Sequence, residues 1–154
     1  MKSLITILCS FILLCTSCQD QKEQTEQFEA EPENLTLEGA WEMVGFYNYD
    51  NNVIVDSFNT QNGYKQVKMF TDNKVMWSKK MPSDSTDWFG YGSYILKDST
   101  LLEIMDYGSK IMNQVIAERK EFKYQIILDK NEFSQIEMDE DGNLVYSENY
   151  RRID

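Results

Sequence analysis

From Leu35 to Asp154, apolar and polar positions alternate in short runs rich in aromatic and β-branched residues, punctuated by Asp, Asn, Gly and Ser. A period of two is the mark of strands that bury one face. It predicts strands near Ala40–Tyr49, Val53–Phe58, Tyr64–Phe70, Val75–Lys80, Tyr91–Lys97, Leu101–Tyr107, Phe122–Leu128, Glu132–Met138 and Leu144–Arg152. Four links carry residues that tolerate positive φ or cap their own turn, and so predict tight hairpins. They are Asp72-Asn73, Asp98-Ser99-Thr100, Asp129-Lys130-Asn131 and the run from Asp139 to Asn143. Ile111 to Lys120 has helical spacing instead, with Ile111, Val115 and Ile116 on one side. About eight or nine short antiparallel strands in succession predict an all-β, up-and-down barrel, because closure removes exposed sheet edges.

Register follows for two hairpins. Pairing Met138 with Leu144 across the last turn also pairs Ile136 with Tyr146 and Ser134 with Glu148. The apolar face then holds Ile136, Met138, Leu144, Tyr146 and Tyr150, and alternation carries Glu148 and Arg152 inward with them. The Asp72-Asn73 turn places Phe70, Val75 and Trp77 on one face with Lys68 and Lys79, and Val67, Met69 and Met76 on the other. Either face could be the inner one.

Before Leu35 the pattern changes. Lys2, the apolar run Leu4 to Leu14 and the small pair Thr16-Ser17 ahead of Cys18 have the layout of a secretory signal, too short for a membrane span. The ending at Cys18 resembles a lipobox, with Cys15 in the place usually held by an aliphatic residue. That resemblance implies acylation of Cys18 and a membrane partner through an N-terminal lipid anchor. Gln19 to Asn34 is polar, acidic and aperiodic, the composition of a disordered tether. The expected division is a signal peptide at 1–17, a lipidated cysteine and tether at 18–34, and one barrel domain at 35–154. Gln19, rather than Asp, after the cysteine resembles the outer-membrane lipoproteins of Gram-negative bacteria, facing the periplasm or the surface.

Composition narrows the chemistry. The chain has no histidine, and its three cysteines (Cys9, Cys15 and Cys18) all precede the domain. His/Cys zinc sites, thiol nucleophiles and His-dependent triads are therefore excluded. With 15 basic against 26 acidic residues and a net charge of −11, nucleic acid is not an expected partner. No cofactor or metal is expected. Asp139-Glu140-Asp141-Gly142-Asn143 has its glycine too early for an EF-hand loop and reads as a turn.

Two ends of the domain carry a family likeness. Gly39-Ala40-Trp41 opens the first strand and Tyr150-Arg151-Arg152 closes the last. This pairing resembles the lipocalin-like domains, and more closely those of small lipoproteins of Gram-negative bacteria. The stretches Gln66 to Asp72 and Glu148 to Arg152 share in the likeness. The resemblance implies that Gly39, Trp41 and Arg152, or Arg151 in its stead, close the barrel structurally. A closed barrel brings these chain ends together, and a guanidinium there could stack on the indole.

Candidate ligand-binding residues are Trp88, Tyr91, Tyr94, Tyr146 and Glu148. Glu148 with Arg152 could form an inward polar anchor. Trp88, Gly90, Gly92 and Tyr94 share one face and leave a glycine gap, which either admits a ligand or marks a bend. Methionines Met43, Met69, Met76, Met81, Met105, Met112 and Met138 could line an adaptable cavity or fill an irregular core. Asp84-Ser85-Thr86 and Asp98-Ser99-Thr100 resemble sites of O-glycosylation. No carboxylate pair is fixed by spacing, so catalytic residues are not expected and the protein is read as a non-enzyme. The leading expectation is a lipid-anchored module holding a small apolar or amphiphilic ligand. A filled barrel contacting another envelope component is the alternative, and a His/Cys-free carboxylate enzyme the third.

Overall fold

The computed structural model of the protein describes residues 35–60, 63–82 and 86–154. Cys18, the tether and the Asp84-Ser85 pair lie outside the described residues. Among the described residues, nine strands and one helix follow in order. They are β1 (Gly39–Asp50), β2 (Val53–Asn59), β3 (Lys65–Phe70), β4 (Lys74–Lys80), β5 (Trp88–Lys97), β6 (Thr100–Gly108), α1 (Lys110–Glu118), β7 (Glu121–Leu128), β8 (Glu132–Met138) and β9 (Leu144–Arg152). Each of β3 to β8 pairs with the next, β1 pairs with both β3 and β9, and an eight-stranded antiparallel barrel closes. The expected up-and-down barrel is therefore present. β2 is the extra strand: it pairs with the second half of β1 above the stretch that β3 occupies. Its Val53, Ile54 and Val55 are exposed.

Two-residue turns set two of the hairpins. Asn51-Asn52 and Asp98-Ser99 both take positive φ, which matches the twist of the flanking strands. The first was not among the expected tight turns, although Asn-Asn tolerates that conformation well. Asn52 also accepts the Leu144 N–H at 2.8 Å, tying the β1–β2 turn to the start of β9. In the β8–β9 turn, Asp139 accepts from Asn143 and Asp141. These bonds, led by the Asn143 side chain, hold its carboxyl below the usual range. Ser109 caps α1 by accepting from the Met112 N–H at 3.4 Å, and the helix ends where Arg119 turns extended.

One register expectation is corrected. Met138 does pair with Leu144, but Val145 is skipped by a bulge, so Tyr146 faces Glu137, Glu148 faces Gln135 and Tyr150 faces Phe133. Strand β9 keeps its inward Glu148 and Tyr150. On β8 the inner face is instead Phe133 and Gln135, and Met138 is exposed. In the β3–β4 hairpin the lysine-bearing face is the inner one: Phe70, Val75 and Trp77 are buried with Lys68, while Met69 and Met76 are exposed.

The core gathers at one end. Trp41 is fully buried, donates Nε1–H to the Leu37 carbonyl at 2.7 Å, and meets the Phe133 ring edge-on at 4.8 Å. Phe133 stacks on Tyr150 at 4.5 Å. Over the outer side of Trp41 lies the Arg152 guanidinium, 4.0 Å from the ring centre. It donates to the carbonyls of Thr36, Glu38 and Lys130. Arg151 instead approaches exposed Glu132 at 3.6 Å. Gly39 sits at φ +126°, and a Cβ there would stand 2.3 Å from the Arg152 guanidinium, so both backbone and space demand glycine.

Candidate ligand cavity

Above that floor the barrel interior turns polar. Alternation along β9 carries the inner face from Arg152 up to Glu148, roughly 13 Å at about 3.3 Å per residue. Neighbouring strands bring inward Gln66 and Lys68 from β3, Glu103 from β6 and Gln135 from β8. All five of these upper-level side chains are buried. Lys68 Nζ lies 2.8 Å from Glu103 and donates to Gln135 Oε1 at 2.7 Å. Aromatic faces of Phe70, Tyr124 and Tyr150 surround the ammonium at 5.8 to 5.9 Å. A buried charge is tolerable on these terms, paired and hydrogen-bonded. Among the described residues no buried side-chain polar atom lacks a partner.

Glu148 accepts from Tyr150 OH at 2.6 Å, Gln66 Nε2 at 3.2 Å and Gln135 Nε2 at 3.4 Å. Its nearest cation among the described residues is Lys79, 4.0 Å away and partly exposed. Gln66 is held in turn by Tyr64, whose hydroxyl donates to its Oε1 at 2.6 Å. Burial, and then the Glu148 charge, push the phenols of Tyr64, Tyr146 and Tyr150 above their ordinary value. They therefore stand as neutral hydroxyls around the carboxylate.

Two cavities meet at this residue. The inner one, about 160 Å³, is walled by the polar cluster, by Trp77, Met105, Phe122 and Tyr124, and by Met112, Val115 and Arg119 of the helix end. The outer one, about 260 Å³, lies between Phe46, Phe58, Tyr64, Met81 and Trp88. Lys79, Trp88 and Glu148 line both. Jointly the two reach the size of small-molecule sites, roughly 300–1,000 Å³. Two further hollows, about 520 and 300 Å³, have no buried charge in their walls.

Of the residues expected to bind ligand, the structure brings together Trp88, Tyr146 and Glu148. Tyr91 and Tyr94 lie away from these three. Alternation along β5 puts Trp88 and Tyr94 on its inner face and Tyr91, three residues from each, on its outer face. Tyr91 turns outward, its ring 5.3 Å from exposed Tyr107. Tyr94 belongs to the floor, edge-on to Phe70 at 5.0 Å with its hydroxyl on the Thr71 carbonyl. The expected glycine gap is filled as well, since a Cβ on Gly90 would stand 2.8 Å from the Trp77 indole. Arg152 stays on the floor with Trp41, away from Glu148. Missed from the sequence were Gln66, Lys68, Lys79, Glu103 and Gln135. For Glu103 a signal existed, because Leu101, Glu103 and Met105 alternate as one inward face and the glutamate sits between two apolar members of it.

No family model matches the chain, and no curated protein matches it. A lipocalin-like protein from Bacteroides uniformis superposes with a TM-score of 0.52 at 14% identity, over 76% of this chain and 98% of that one. The fold is lipocalin-like. A second structure, from Bacteroides eggerthii, gives a TM-score of 0.50 at 13% identity, over 77% and 100% of the two chains. At such identities the likeness is one of architecture, and in this lipocalin-like barrel function resides in the cavity rather than in the fold.

Proposed function

We propose that the protein is a lipid-anchored envelope protein whose barrel takes a small amphiphilic ligand at its upper end. The observation that carries this is the position of Glu148, a buried carboxylate at the junction of a polar inner cavity and an aromatic outer one. A ligand's polar group would meet Glu148, Gln66 and Lys79, and its apolar body would lie among Phe46, Phe58 and Trp88. The role is binding rather than catalysis, since Glu103 is committed to Lys68 and Glu148 to three neutral donors. The signal-like start and Cys18 support an outer-membrane address in a Gram-negative cell.

A second reading rests on the outer wall. Met69, Met76, Tyr91 and Tyr107 pair in one row across β3, β4, β5 and β6. Three of the four are exposed, giving an apolar belt suited to contact with another envelope component.

Native mass spectrometry of the full chain, extracted from its host in mild detergent, tests both the anchor and the ligand. The expected spectrum shows acyl mass that disappears on Cys18→Ala, and a stoichiometric non-covalent adduct that is lost on Trp88→Ala. An unacylated chain would overturn the anchor. A bare chain that also gains no thermal stability from a panel of amphiphiles would overturn the carrier role.

A further inference from the structure

We infer that the outer cavity selects an organic cation, an amine or quaternary ammonium carried on an apolar body. This deepens the ligand-binding reading and rests on it. The first ground is the balance of charge around the cavity. Lys68 is closed off by Glu103 at 2.8 Å, and Arg119 is held by Glu137 at 3.1 Å while lying over Phe122 at 4.4 Å. That leaves Glu148 and Lys79. Their separation of 4.0 Å is a loose contact, and the Lys79 side chain is 29% exposed on a flexible stem, its ammonium 5.4 Å over the Trp77 ring. Glu148 is thus a buried carboxylate whose one close cation among the described residues can swing out to water.

The second ground is the wall around that carboxylate. Phe46, Phe58, Tyr64 and Trp88 present ring faces or edges to the same cavity. Phe46 stacks on Phe58 at 5.0 Å, and Phe58 meets Tyr64 edge-on at 5.1 Å, so the rings are already fixed by one another. Ring faces carry partial negative charge and attract cations, most of all where water is excluded. A carboxylate beneath an aromatic box suits an ammonium group and repels a carboxylate ligand. Lys79 already sets one ammonium 4.0 Å from the Glu148 carboxylate, so the carboxylate accepts a cation at that range. The net charge of −11 acts in the same direction at long range, steering cations toward the protein.

Three probes with one body and different heads test the inference: phenethylamine, 2-phenylethanol and 3-phenylpropionate. Each is titrated by calorimetry into the full chain in detergent at neutral pH, with empty micelles as the reference. The expected order is amine, then alcohol, then acid, with the amine bound about tenfold or more tighter than the alcohol. Glu148→Gln should erase the preference for the amine. Should that variant fail to fold, Lys79→Met tests the same point, because removing the resident cation should tighten the amine several-fold relative to the alcohol. Equal binding of the three would overturn the cation assignment and leave the carrier role standing. Tightest binding by the acid, lost on Lys79→Met, would overturn it in favour of an anion site. Binding of none of the three would overturn both readings of this cavity.

Discussion

Lys68 and Glu103 face one another across the barrel at 2.8 Å, each side chain only 3% exposed, on strands β3 and β6 that are not neighbours in the sheet. Such a pair costs desolvation that its Coulomb attraction must offset, so its net contribution is small while the loss of one partner is severe. Lys68→Met is expected to destabilise the barrel by about 3–5 kcal/mol, because Glu103 is left charged and unpaired. The double variant Lys68→Met, Glu103→Leu should recover most of that loss. Urea unfolding of the four proteins in this cycle measures it, and additive losses would refute the coupling.

Arg152 should resist conservative replacement. Its three backbone acceptors lie on two segments, Thr36 and Glu38 ahead of β1 and Lys130 in the β7–β8 turn, and the planar fork reaches them while stacking on Trp41. Lysine offers a point charge without the fork. Arg152→Lys is therefore expected to lose about 2 kcal/mol or more, close to the loss in Arg152→Ala. Thermal unfolding of both variants checks this, and near-native stability of the lysine variant would refute it.

Gly90 is where β5 meets the Trp77 indole. A Cβ there would stand 2.8 to 2.9 Å from three ring atoms of a side chain that borders the inner cavity. Gly90→Ala should destabilise by about 1–3 kcal/mol, the range for overpacking, and should push Trp77 toward the inner cavity. Stability measurements together with Trp fluorescence would show both effects.

Alkaline pH should unfold the protein early. Burial, with neighbouring carboxylates and phenols adding to it, raises the Tyr124 and Tyr150 hydroxyls well above their usual value of 10.0. Above pH 10 the unfolded chain releases these protons and the folded chain keeps them, so the folded state binds more protons and stability falls as pH rises. Each of the two contributes a decline of about 1.4 kcal/mol per pH unit, with full stability retained below pH 10. Denaturant midpoints from neutral to strongly alkaline pH, with tyrosinate absorbance in parallel, report it. A stability flat through this window would contradict the burial.

Much of the fold was legible because each strand keeps one face apolar: β8 and β9 have the bounds that alternation predicts, and β3, β4 and β6 differ by a residue or two. What alternation cannot show is a bulge. Skipping Val145 reverses the inner and outer faces of β8 relative to β9, which hid Gln135. Along β5 alternation itself separates the expected set: Tyr91 stands on the face opposite Trp88 and Tyr94, and the run from Trp88 to Tyr94 carries the inner face from the cavity down to the floor. The charged interior was opaque for a different reason. Alternation aims Glu103 inward but names no partner for it, and the burial of Lys68 and Glu103 depends on each finding the other 35 positions away. Hydrophobic pattern reports where apolar residues go, but not which charges will be neutralised across a lumen.

The β1–β9 seam has a consequence in time as well as in space. Trp41 and Arg152, paired across that seam, stand at opposite ends of the domain. Loop closure over such a span is slow compared with hairpin formation, and topologies ruled by distant pairings fold in milliseconds to seconds rather than microseconds. β3 through β8 can zip locally as successive hairpins, yet the carboxylate at position 148 arrives only with the final strand. Until it docks, Lys79 and the ring cluster have no lumen to share. Assembly of the cavity and completion of the fold are thus one event, and a nascent chain lacking β9 would carry neither.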